Sequence, residues 1–290
     1  MIDAYRTPDA RFENLPGYPF APNYIEQDGL RMHYVDEGDG DPVLLLHGEP
    51  TWAFLYRKVI PELVGTHRCI APDYFGFGRS DKPTDPGFYT YDRHVESITR
   101  LATELDLRNV TLVVQDWGGP VGFRFAIENP ERISRLVVLN TGIGARAPSE
   151  EWLRFQDFMR RVGNEIVAGQ LVRLSLVQPV DDDVIAGYDA PFPVPESRAG
   201  IVAFPELVPT SREHPNAEKM LAVKAALGQL DRPALVLFSD SDPIFSRRAA
   251  EVMAETLADA ELDPPLAGAG HFLQEDQGEA VGRRIRAFLV

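Results

Sequence analysis

Cysteine is nearly absent from this chain of 290 residues: one thiol, Cys69, excludes an intrachain disulfide and any cysteine-based metal site. It lies in the strand-like run RCIAPD and reads as an inert core thiol. Long apolar runs are also lacking. No stretch approaches the roughly 18 residues of a membrane span, and the N-terminal MIDAYRTPDARFENLPGYPF is mixed and polar rather than a basic segment followed by an apolar one. Positive charge is scarce, since 29 lysines and arginines face 44 aspartates and glutamates, for a formal charge of −15 and a pI near 4.8. A surface so negative repels phosphate backbones and anionic lipid heads, which argues against nucleic acid or membrane as a partner. The six histidines are scattered and offer no ligand cluster, so no metal is expected. A cytoplasmic protein, monomeric by default, is the expectation.

What is present is a chain with 44% hydrophobic residues, long enough for one large domain carrying an insertion. Short apolar runs alternate with longer segments of helical period, the pattern of a mostly parallel sheet covered by helices. Strands are expected at 25–38 (an antiparallel hairpin), 42–48, 68–73, 109–116, 135–142, 233–240 and 261–267, making eight in all. Their continuous Val, Leu and Ile character predicts burial on both faces. Helices are expected near 53–64, 91–105, 118–128, 247–258 and 278–289, the second capped by Thr90 or Asp92. Residues 142–216 break this rhythm with charge and then proline (APFPVPES, AFPELVP, REHPN). They read as an inserted helical cap on a core of residues 1–141 and 217–290, suitably placed to cover the strand ends where ligands sit in such sheets.

Three polar residues fall at strand ends. LVVQDWGGPVGFRFA runs from a buried strand to Asp116 and then to Gly118 and Gly119, the pattern of a nucleophile elbow with aspartate in place of serine. Such a carboxylate attacks carbon and forms an ester. Taken alone, Asp116 reads equally well as an N-cap of the next helix. GAGHFLQED sets His271 in a glycine-flanked loop after the last strand, and FSDSDPIFS sets Asp240 and Asp242 in a turn between the two. Nucleophile, acid, histidine is the chain order of the α/β-hydrolase fold. Asp242 is preferred over Asp240 as the acid because there the loop has left the strand. HGEPTW (47–52) follows another strand, and in this fold its loop supplies an oxyanion donor, here the Glu49 N–H, alongside the Trp117 N–H after the nucleophile. His47 reads as a structural residue of that loop, and the Glu49 carboxylate as a possible holder of water.

HGEPTW, APDYFGFGRSDKP (71–83), VVQDWGG (113–119), YDAPFP (188–193), FPELV (204–208) and AGHFLQED (269–276) together resemble the haloalkane dehalogenases over essentially the whole chain. The resemblance implies a cofactor-free hydrolase whose partners are a small apolar halogenated substrate, a halide ion and water. Asp116 then displaces halide in line to give an alkyl ester, and His271, oriented by Asp242, activates water to hydrolyse it. It further implies a halide held between two tryptophan N–H donors, Trp117 and, from the cap, Trp152, with Trp52 packed in the core. Phe204, Pro205, Val208 and Ile244 are implied as pocket lining. Pro120, where some relatives carry an aromatic, departs from the pattern and leaves pocket size open.

Three other readings compete, one of them a haloacetate-type dehalogenase, which needs cationic side chains beside the nucleophile where Trp117 sits instead. An epoxide hydrolase shares the aspartate nucleophile but needs two cap tyrosines to protonate the opening oxygen, and this cap offers only Tyr188. A non-catalytic small-molecule receptor would keep the fold without the turnover.

Overall fold

The computed structural model describes residues 2–145 and 150–290; residues 146–149, inside the expected cap, lie outside the described residues. Eight strands form one sheet: β1 (Asn23–Gln27), β2 (Leu30–Glu37), β3 (Pro42–Leu46), β4 (Arg68–Pro72), β5 (Val110–Gln115), β6 (Ile133–Leu139), β7 (Pro233–Leu237) and β8 (Asp259–Leu262). Across the sheet they run β8, β7, β6, β5, β3, β4, β2, β1. β1 and β2 form the expected antiparallel hairpin, and β2 also pairs antiparallel with β4. All other pairs are parallel. Every residue of β3 and β5 is buried, as their mainly apolar character demands of strands covered on both faces. A separate two-stranded pair joins Ala4–Tyr5 to Lys82–Pro83.

The flanking helices begin with α1 (Tyr91–Glu104), where the Thr90 hydroxyl accepts from Arg93 N–H at 3.2 Å as N-cap, and α2 (Gly118–Glu128). After β6 come α3 (Glu150–Val162), α4 (Ala168–Leu174), α5 (Asp182–Asp189) and α6 (Ala199–Ala203), and no strand interrupts them among the described residues. The chain then returns through α7 (Ala217–Leu227), α8 (Arg247–Thr256), the single turn α9 (Leu273–Asp276) and α10 (Gly278–Phe288).

The helix expected over 53–64 is instead two short 3-10 turns, Ala53–Tyr56 and Ile60–Glu62. Ala53–Tyr56 are fully buried, so the segment has no solvent face, and Pro61 lacks the N–H that an α-helical ladder would need. The last strand stops at Leu262 rather than 267, ahead of the pair Pro264 and Pro265. β7 ends at Leu237, and beyond it Ser239 resumes parallel pairing with the chain after β8 through a single bridge to Leu266.

The α3–α6 segment is tied to the sheet domain by buried polar contacts. Trp52 Nε1 donates to Gly187 O at 3.1 Å, and Thr7 Oγ1 to Pro191 O at 2.7 Å. Arg57 makes a two-pronged pair with Glu275 at 2.6 and 2.8 Å, and the Tyr188 hydroxyl donates to the same carboxylate at 2.6 Å. Burial alone would raise the pKa of Glu275, but bonds from Arg57, Lys58 and Tyr188 outweigh it and hold the pKa low.

The tightest approach of a glycine to another backbone segment, among the described residues, lies where α2 begins. A Cβ on Gly118 would fall 2.2 Å from the carbonyl oxygen of Leu46, which is backbone and cannot rotate away. Gly118→Ala is therefore expected to push β3 from β5 and cost about 1–3 kcal/mol. Urea unfolding measures this, and an unchanged midpoint would mean that the two segments yield freely.

Candidate active site

Asp116 occupies the turn between β5 and α2 with φ of +49°, a conformation that turns its side chain out of the sheet. Its backbone is fixed on both sides: its N–H donates to Asn140 O at 3.1 Å, and its carbonyl accepts from Gly119 N–H at 2.9 Å and Thr141 Oγ1 at 2.5 Å. Carboxylate oxygen Oδ1 accepts the Glu49 N–H at 2.9 Å. That bond requires glycine at position 48, since a Cβ there would lie 2.3 Å from the Asp116 carboxylate.

His271 stands beyond the other oxygen, with Nε2 at 3.5 Å from Asp116 Oδ2 and Nδ1 at 3.0 Å from Asp242 Oδ2. Asp242 is the acid that reaches the imidazole, and its Oδ1 is fixed by Ile244 N–H at 2.7 Å. Asp240 faces away, accepting from Gly268 N–H and Ser241 Oγ. Exposure grades along the line: the side chains of Asp242 and His271 are 0% and 3% exposed, while Asp116 is 17% exposed, at the end that a ligand would reach. Burial lowers the pKa of His271, but the charges of Asp242 and Asp116 and the bonds to them reverse this and raise it to about 10.

The expected structural reading of His47 matches its contacts. Its Nε2 accepts from Tyr74 N–H at 3.2 Å and its Nδ1 donates to Gly48 O at 2.9 Å, a neutral tautomer consistent with a pKa lowered by burial. The Glu49 carboxyl is driven well above the usual carboxylate range by burial and then by the charge of Asp116. Its Oε1 has no hydrogen-bond partner among the described residues.

These groups meet at the floor of a cavity of about 890 Å³ between the sheet domain and α3–α6. Asp116, Glu49, Trp117 and His271 line it, and Trp152 comes in from α3. Pro205, Val208 and Ile244 stand on its wall as expected. Phe204 does not: it is 1% exposed, one layer back, with its ring edge-on to Trp117 at 5.3 Å, so it braces the indole rather than touching the cavity. Trp52 is fully buried and stacked on Phe54. Among the described residues no group of three or more His, Cys, Asp and Glu could hold a metal ion, and no helix is long and apolar enough to cross a membrane.

Sequence reasoning missed the residues that hold the histidine loop from below. Asn140 Nδ2 donates to Gly270 O at 3.0 Å and His271 O at 3.1 Å, Ser239 Oγ to Gly270 O at 2.8 Å, and Gln115 Nε2 to His271 O at 3.2 Å. The available signal was a lone amide closing an otherwise apolar strand, VVLN and VVQ. Each supplies a donor for buried carbonyls that the loop cannot pair internally.

Because the folded-state pKa of His271 lies above the ordinary 6.5, its protonation stabilises the fold fully below 6.5, and that contribution is lost as pH rises toward about 10. The stability advantage of the wild type over His271→Gln should therefore shrink from pH 6.5 to 10 in urea titrations. A constant gap would mean that the imidazole does not titrate there.

Comparison with known proteins bears on this geometry. Residues 41–169 match the family model for the alpha/beta hydrolase fold. A haloalkane dehalogenase of Mycobacterium marinum is 44% identical over 98% of this chain and 99% of its own length. Another, of Psychrobacter cryohalolentis, is 43% identical over 98% and 97%. The tetrameric haloalkane dehalogenase DpaA of Paraglaciecola agarilytica superposes with a TM-score of 0.92 at 33% identity, covering 98% of this chain and 97% of that one.

Proposed function

This chain belongs to the haloalkane dehalogenases, hydrolases that act on carbon–halide bonds, and we propose that Asp116 is its nucleophile, His271 its general base and Asp242 the acid that orients the base. The observation that carries the assignment is the line Asp116, His271, Asp242, with separations of 3.5 and 3.0 Å, at the floor of a mainly apolar cavity.

In the first step Asp116 Oδ2 attacks the halogen-bearing carbon. The carbon–halogen bond breaks, halide leaves with the electron pair, and an alkyl ester forms. Oδ1, already held by the Glu49 N–H, becomes the ester carbonyl oxygen, with the Trp117 N–H as the second oxyanion donor. The indole N–H groups of Trp117 and Trp152 hold the departing halide as neutral donors. In the second step His271 takes a proton from water, and the resulting hydroxide attacks the ester carbonyl. Alcohol departs, the Asp116 carboxylate returns, and the proton passes to solvent. The Glu49 carboxyl, turned toward the same space, is the proposed holder of that water.

The charge balance makes this sequence self-timing. Free enzyme keeps His271 protonated because two carboxylates face it. Esterification removes the charge of Asp116, so the imidazolium loses one of its two anionic neighbours, its pKa falls, and it releases its proton to solvent, leaving the neutral imidazole just when a proton acceptor for water is needed.

We divide the chain into a core of residues 1–141 and 217–290 and a cap of 142–216. Pro205, Val208 and Ile244 form the substrate wall, with Phe204 as the support of Trp117. The single chain supplies every proposed group, so a monomer suffices for the chemistry, although the Paraglaciecola relative is tetrameric. A small apolar halogenated substrate and a cytoplasmic setting complete the reading. The epoxide hydrolase alternative loses its proton donor, since the Tyr188 hydroxyl is committed to Glu275.

Asp116→Ala is expected to abolish halide release from 1,2-dibromoethane and 1-bromobutane, whereas His271→Ala should release one halide per site and stop with the ester trapped. Normal turnover by either variant would refute these roles. Trp152→Phe removes one donor to an anion, a contact of about 1.5 kcal/mol or more, so bromide inhibition should weaken about tenfold. An unchanged inhibition constant would put the second halide donor elsewhere.

A further inference from the structure

We infer that Asp276 is a positioning residue for His271, a splint that fixes the histidine loop to the cap; the inference rests on the reading of His271 as the base. The carbonyls of Gly270 and His271 are held from below by Asn140, Ser239 and Gln115. Their N–H groups point the other way, toward the segment 175–178 that follows α4. His271 N–H donates to Ser175 O at 3.0 Å, and Gly270 N–H to Asp276 Oδ2 at 2.8 Å.

The same carboxylate reaches across to the cap. Oδ1 accepts from Gln178 N–H at 2.8 Å, and Val177 N–H is shared between both oxygens at 3.2 and 3.1 Å. Gln178 Nε2 closes the patch on Gly268 O at 2.8 Å. One anion thus gathers three amides from two separate stretches of chain, and charge-assisted bonds of this kind are about twice as strong as neutral ones. The approach is too close for a side chain at position 270, where a Cβ would lie 2.3 Å from Ser175 O. His271 therefore takes its position from the sheet on one side and the cap on the other, and Asp276 joins the two.

Only the second chemical step uses His271. Loosening its loop should slow ester hydrolysis and leave attack by Asp116 intact. When the later step slows, kcat falls and KM falls with it, while kcat/KM, which reports steps through the first irreversible one, is preserved. General loss of structure would lower both.

The test is Asp276→Asn with saturating 1-bromobutane, followed by steady-state kinetics and by intact-protein mass spectrometry of acid-quenched enzyme, with His271→Ala alongside. The expected result is a kcat reduced about tenfold, as for a lost bond to a charged group, with kcat/KM within about twofold of wild type and a larger fraction of enzyme carrying the butyl ester. If the asparagine variant does not fold, Asp276→Glu keeps the charge and displaces it by one methylene, and the same split at smaller size is expected. Unchanged kcat, or kcat and kcat/KM falling together without added ester, overturns the inference. Should His271→Ala itself turn over, the assignment of the base has failed; should it trap the ester while the Asp276 variants behave as wild type, only the splint has failed.

Discussion

A single strand-to-helix turn sets the geometry of this protein. β5 must leave the sheet at Asp116 with positive φ, and α2 must start so close to β3 that neither Gly48 nor Gly118 can carry a side chain. Parallel pairing of β3 with β5, with Leu46 opposite Val114, brings the two strands to their ends at the same level. The loop after one strand then delivers an amide to the carboxylate after the other. The remaining members of the site also leave the sheet at its carboxyl edge: Asn140 after β6, Asp242 after β7 and His271 after β8. Moving the turn by one residue would carry the carboxylate away from both the Glu49 amide and the imidazole.

Electrostatics then divides the labour among groups of one type. Glu49, Asp116 and Asp242 are three carboxylates around one imidazole, and like charges so close cannot all be stable without a cation between them. The imidazolium compensates two of them. Glu49, left with burial and no partner of its own, is pushed toward the neutral form. The surroundings rather than the residue type thus set these carboxyls apart: Asp116 and Asp242 flank the imidazole, while burial and the charge of Asp116 push the Glu49 pKa well above the usual carboxylate range.

The sequence reveals the sheet and the site to different depths. Strands buried on both faces declare themselves by unbroken apolar runs, so β3, β5 and β7 are legible to within a few residues. The motifs around Asp116, Glu49 and His271 are legible because glycine and proline mark the turns that present them. Segment 53–64 misleads because the complete burial of its first part, Ala53–Tyr56, removes the amphipathic signal that separates an α-helix from tight turns. α7 goes unread for a related reason: AEKMLAVKAAL spreads apolar residues around the helix instead of along one stripe. Phe204 is misplaced by one layer, since a motif match gives neighbourhood but not which face of a side chain meets a void. Asn140, Gln115 and Asp276 stay hidden because they act on backbone atoms, and backbone partners leave no complementary residue to find in a sequence.

The groups of the proposed catalytic site are drawn from four distant parts of the chain, near 49, 116, 242 and 271, whereas α3–α6 follow one another in a single stretch. Exchange of that stretch between relatives would redraw the cavity wall in a single recombination event and leave Asp116 untouched. The turn at 175–178 restricts this freedom. A transplanted segment must bring its own backbone to His271 and Asp276, or the incoming wall arrives with the proposed base misaligned. Substrate range can therefore drift with the cap only as far as that short turn is inherited intact.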